Sequence, residues 1–164
     1  MSTVHCIGCG ALVPDASSPV HRYIQSSPGC WTIYGDVLAR EYSDPAYTGM
    51  HRLTVDTYAV QHPGTPSPQS TQSVAIHLLR LCLILEHGYS EVAAGKAMPI
   101  LAQQKQLFCW LSPPASVGDK TVLHVWSAQD AAAHRQAVSE WADSAWRAWV
   151  AHHEQVRRWL PKGV

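Results

Sequence analysis

Three cysteines near the start of the chain have the type and spacing to grip a metal ion. Cys6 and Cys9 stand three positions apart in Cys6-Ile7-Gly8-Cys9-Gly10, and Cys30 follows in Ser26-Ser27-Pro28-Gly29-Cys30. Two thiolates at that spacing on a tight turn can hold one ion, and Gly8 and Gly10 let the backbone fold back toward the sulfurs. A closed Zn²⁺ site needs a fourth donor, and His21, between the two halves, is the expected one. His5 adjoins Cys6, and adjacent side chains diverge; His51 serves only if the next helix folds back. One Cys-x-x-Cys plus a single cysteine is an incomplete zinc signature, weaker than two such pairs. A redox dithiol fits less well, because the βαβ setting of thioredoxin-like pairs is missing. Cys30 also sits at a helix start, where a thiol is acidified as a nucleophile would be. With two cysteines nearby, ligation is the better reading.

Histidines supply the second candidate site. His51, Asp56 and His62 fall on one expected helix and His77 on the next, where it interrupts an otherwise apolar run. A buried imidazole needs partners for its nitrogens, so His77 is either a satisfied core residue or a group facing Asp56 or another histidine across a helix pair. Together His51, Asp56, His62 and His77 form a candidate catalytic pocket suited to metal-assisted hydrolysis or acid–base chemistry on a small molecule. His51 and His62 are eleven positions apart, roughly 16 Å along a continuous helix, too far to share one ion. Gly-rich phosphate loops, a Gly-x-Ser-x-Gly elbow and a His-Glu-x-x-His helix are all missing, which removes several common enzyme classes.

Helices must position both sites. Residues 1–30, rich in Gly, Pro, Ser and Cys, read as an irregular metal-binding segment, and residues 31–164 as a helical core. Trp31, Tyr34, Val37, Leu38 and Tyr42 give one apolar stripe from Pro28 onward. Asp44-Pro45 caps a second helix running to Gln61, stopped by His62-Pro63-Gly64. A third spans about 68–87, apolar almost all round from Val74 to Leu85, and is the expected central helix. Ser90 caps a fourth, which Pro99 kinks or splits. Thr121–Trp126 reads as a turn of helix, and Ser127 with Asp130 as a capping box. One long helix over 128–160 carries a Trp-rich face that packs as core. The expected architecture is a single-domain all-α bundle with a zinc-stapled N-terminal segment.

Composition narrows the partners. Lys plus Arg and Asp plus Glu are 12 each, so no basic footprint for nucleic acid exists. No apolar run reaches the roughly 20 residues of a membrane span. The N-terminal stretch does not read as a secretory leader, and Cys82 and Cys109 lie among apolar neighbours, as buried free thiols do, so a reduced, cytoplasmic setting is expected. The rival to an enzyme is an interaction module in which zinc only orders the N-terminus. An exposed Trp patch would then meet a protein partner or a second copy of the chain.

The strings CIGCGALVPD, SSPGCWTIYGDVLAREYSDPAY, HRLTVDTYAVQHPG and QSVAIHLLRLCL, with the closing Trp-rich helix, resemble a family of small bacterial proteins of unknown function. The resemblance covers nearly the whole chain and implies a bacterial protein. It brings no activity and no catalytic residue with it.

Overall fold

Proline or a capping oxygen opens most of the helices, where the first backbone amides lack partners. In the computed structural model, which describes residues 1–164, α1 is Pro28–Ser43 and α2 is the short Pro45–Thr48. The Asp44 carboxylate caps α2 by accepting from the Ala46 amide. Next come α3 (His51–Gln61), α4 (Pro68–Leu85) and α5 (Glu91–Ala102). Ser67 and Ser90 cap α4 and α5 through their side chains. Then follow α6 (Val122–Trp126), α7 (Ala131–Ala148) and α8 (His153–Arg158). No helix is long and apolar enough to cross a membrane.

The expected central helix is α4: Leu78, Leu79, Leu81, Cys82 and Leu83 are fully buried. Around it pack α3, α5, α7 and α8. Trp141, Trp149, Trp159 and Trp146 from the chain's end close the core. Indole nitrogens are satisfied inside it, Trp141 donating to Gln61 Oε1 at 2.8 Å and Trp149 to the Val60 carbonyl at 3.0 Å.

Four local expectations change. The N-terminal segment is more regular than its composition suggests, since β1 (Thr3–His5) and β2 (Leu12–Pro14) pair antiparallel, Val4 opposite Val13. The Cys6–Gly10 turn is the tip of this hairpin. The helix expected from Pro45 to Gln61 breaks at Gly49, where the Thr48 hydroxyl donates to the Glu41 carbonyl. Ser127 does not open α7; Asp130 is the cap, accepting from the Ala133 amide at 2.8 Å. The long final helix is interrupted by a 3₁₀ turn at Val150–His152. The Trp149 amide bonds the Trp146 carbonyl in the tighter pattern, and His153 Nε2 reaches the same carbonyl at 2.8 Å. The carbonyl of Trp146 is thus taken before the helix can run straight on.

Candidate metal centre and adjoining groove

The hairpin tip delivers Cys6 and Cys9, the first turn of α1 delivers Cys30, and the end of α3 delivers His62. The four ligand atoms lie within 4.8 Å of one another, an arrangement that could hold a metal ion. His62 Nε2 is 3.5 Å from Cys6 Sγ and 3.6 Å from Cys30 Sγ, and Cys9 Sγ is 3.9 Å from Cys30 Sγ. His21 is not in the cluster. It is exposed, and its Nδ1 accepts from the Tyr23 amide. The expected fourth position is filled instead by His62, brought from 56 residues beyond Cys6 by the packing of the hairpin against the end of α3.

Local backbone choices make this approach fit. Gly10 has φ +76°, a left-handed conformation that closes the turn. A side chain at Gly8 would put its Cβ 2.3 Å from the Gln25 carbonyl oxygen and 2.4 Å from His62 Cδ2. Glycine at position 8 is therefore the space in which the imidazole lies. Pro63 and Gly64 end α3 directly after His62, and the His62 carbonyl accepts from the Gln25 amide.

Neighbouring groups orient the donors. His62 Nδ1 donates to the Tyr58 carbonyl at 2.7 Å, so that the ring, once deprotonated at Nε2, turns that lone pair toward the sulfurs. The Ser27 amide reaches Cys6 Sγ at 3.4 Å, and the Tyr58 hydroxyl donates to Cys30 Sγ at 3.4 Å. Ser27, the residue that precedes α1, turns its hydroxyl to the Ile7 amide instead of capping its own helix.

Crowding divides the thiols. Hydrogen bonds from Cys30 and Cys9 hold the Cys6 thiol far below its ordinary range, while the same kind of contact with Cys30 and Cys6 pushes Cys9 up. Burial would lower His62, but its contacts with Cys30 and Cys6 outweigh burial and raise it to about 9. Three thiolates this close repel one another unless a cation sits among them. The donor set thus fits a metal that favours sulfur and imidazole.

The second candidate site is only partly assembled. Asp56 and His77 meet, Nδ1 donating to Oδ1 at 2.8 Å, and Arg80 Nε donates to Oδ2 at 2.8 Å. His62 belongs to the cysteine cluster instead. His51 faces away, its Nδ1 3.2 Å from buried Glu41 and its Nε2 2.9 Å from the Tyr42 hydroxyl. Glu41 also binds His134 Nε2 at 2.8 Å and the Thr54 hydroxyl at 2.5 Å, a buried network that the sequence reading missed. It ties α1, α3 and α7 together.

His77 lies where two cavities along the α3–α4 seam meet. One, about 210 Å³, is walled by Trp31, Tyr34 and Tyr58 with His21 among its lining residues. The other, about 350 Å³, is bounded by Asp56, Arg80 and Glu91. Tyr34 and Tyr58 stack at 3.8 Å, and Tyr58 stacks on His62 at 4.0 Å. The aromatic cavity therefore has the cysteine cluster directly behind its wall.

A family model, described as a family of unknown function, matches residues 4–150, from the hairpin to the turn after α7. The chain belongs to that family, DUF5946. No curated protein and no solved structure matches it. The matched span of the DUF5946 model contains the four clustered donors and the whole α3–α4 groove.

Proposed function

We propose that this DUF5946 chain binds one Zn²⁺ through Cys6, Cys9, Cys30 and His62, and that the ion orders the hairpin rather than performs chemistry. The observation that carries the reading is the spacing of the donors. A tetrahedron with Zn–S of about 2.3 Å and Zn–N of about 2.05 Å has sulfur–sulfur edges of about 3.8 Å and sulfur–nitrogen edges of about 3.6 Å. The separations of 3.9, 3.5 and 3.6 Å match these edges. Four protein donors leave no open position for water, which is the mark of a structural site. A reducing compartment such as a bacterial cytoplasm suits three thiols that must stay free. X-ray absorption at the zinc edge tests the assignment. Three sulfurs and one light donor support it; four sulfurs, or an oxygen-rich shell, rule it out.

Acid–base chemistry is assigned to His77. Asp56 accepts from Nδ1, so neutral His77 keeps a lone pair on Nε2 and can take a proton from a molecule in the groove. The metal contributes by holding Tyr58 and the wall behind it. The interaction-module reading is weaker, because the tryptophans it requires at the surface, Trp141, Trp146, Trp149 and Trp159, are buried.

A further inference from the structure

His51 takes no part in the metal centre or in the cavities of the α3–α4 groove, yet it stands at the centre of a constellation of its own. It is the first residue of α3, and it bridges buried Glu41 and exposed Tyr42, neighbours near the end of α1. Adjacent residues of a helix point about 100° apart, so one enters the core while the other faces solvent. The chain reverses through α2, where the Thr48 hydroxyl donates to the Glu41 carbonyl at 2.8 Å, and the turn sets the imidazole beside both.

Hydrogen-bond partners fix the direction in which this constellation runs. Glu41 Oε1 accepts from the Thr54 hydroxyl at 2.5 Å and from His134 Nε2 at 2.8 Å. His134 Nδ1 faces Arg40 Nη1 at 3.4 Å, and because a guanidinium only donates, neutral His134 carries its hydrogen on Nε2. Oε2 is left for His51, whose Nδ1 donates to it at 3.2 Å. Neutral His51 then has its lone pair on Nε2, and the Tyr42 hydroxyl donates to it at 2.9 Å. Tyr42 is 69% exposed, while Glu41 is fully buried. A solvent-facing hydroxyl, a base within hydrogen-bond reach and a carboxylate behind the base are the three parts of an activated oxygen nucleophile.

We propose that Tyr42 is a nucleophile that takes an acyl group from an activated ester, with His51 as its base and Glu41 as the positioning residue. The Tyr42 oxygen adds to the ester carbonyl carbon as its proton passes to His51 Nε2. Re-forming the carbonyl breaks the bond to the leaving oxygen, which takes the proton from His51 and leaves Tyr42 as an aryl ester. An ester suits this set because the imidazole that takes the phenol proton returns it to the leaving oxygen. The site is separate from the cysteine cluster and from His77, so it stands or falls apart from them.

The probe is p-nitrophenyl acetate. Peptide mapping by mass spectrometry should find acetyl on Tyr42, formed about a hundredfold faster than on free N-acetyltyrosinamide at the same pH. His51→Gln, which keeps a polar side chain and loses the base, should bring the Tyr42 rate down toward that of the free phenol, with helical circular dichroism retained. Wild-type ¹⁵N NMR should place the hydrogen of neutral His51 on Nδ1, the form that Glu41 selects. Should His51→Gln fail to fold, the wild-type rate and the NMR signature stand as the test. A Tyr42 acetylated no faster than the free phenol overturns the proposal, as does a folded His51→Gln that reacts as fast as wild type. A hydrogen found on His51 Nε2 overturns it too, since the phenol would then have no acceptor.

Discussion

Helix α3 serves two polar sites of opposite character. At its end, His62 joins three cysteines, and its imidazole and the sulfurs of Cys6 and Cys30 are held by backbone or hydroxyl partners. One and a half turns earlier, Asp56 holds His77 and Arg80, and there a buried guanidinium nitrogen stays unpaired beside a cavity. In the first site Cys6, Cys30 and His62 are buried and Cys9 is half-buried. The second, Asp56 with His77 and Arg80, lines an open cavity of about 350 Å³.

The largest way to sharpen that contrast is to remove a donor. On the proposed zinc site, Cys9→Ser should lose the metal and lower the unfolding temperature by about 10 °C or more, because the hairpin would lose an ion tying it to α1 and α3. Fluorescence or calorimetric melts check this; an unchanged melt would mean that packing alone holds the hairpin. Two glycine variants come next. Gly8→Ala should destabilise by about 1–3 kcal/mol in denaturant titrations and weaken metal retention, since its Cβ would fall 2.4 Å from His62 Cδ2. Gly95→Ala, in α5 beside the polar cavity, has no atom within 4 Å of its Cβ and should stabilise by about 0.5–1 kcal/mol. Equal effects at the two glycines would erase the distinction between a filled site and an open one.

The smallest effect lies outside both regions. Arg157 pairs with Glu86 through two hydrogen bonds of 2.8 and 2.7 Å and holds its carboxyl below the ordinary 4.5. A depressed carboxyl stabilises the folded state above its unfolded pKa, and that contribution fades as pH falls through the folded value. Arg157→Gln should therefore cost slightly at neutral pH and little in acid, since the pair is solvent-screened. Urea midpoints at pH 7 and in acid report it, with metal content unaffected.

Local chemistry in the sequence made much of this legible. Pro28, Pro68 and Ser90 mark the starts of α1, α4 and α5, and the apolar run from Val74 to Leu85 is the core helix. Cys6, Cys9 and Cys30 were recognisable because proximity along the chain and residue type agree. His62 was not, because its partnership depends on a contact spanning 56 residues, which no spacing rule encodes. A usable hint was its place one turn after Tyr58, directly ahead of Pro63-Gly64, where a helix end leaves the side chain free to reach back. The hairpin escaped notice because its strands have three residues each and only Val13 is buried, too short for alternation to register. The break after Trp149 has no proline or glycine to announce it; it follows from a tertiary fit between Trp146 and His153, whose rings stack at 3.8 Å.

Elemental analysis of protein purified without added metal, on wild type, His62→Ala and His21→Ala in parallel, tests the central claim most directly. One zinc per chain should be found in wild type and His21→Ala and lost from His62→Ala. A metal-free wild type, or zinc lost from His21→Ala and kept by His62→Ala, would contradict it.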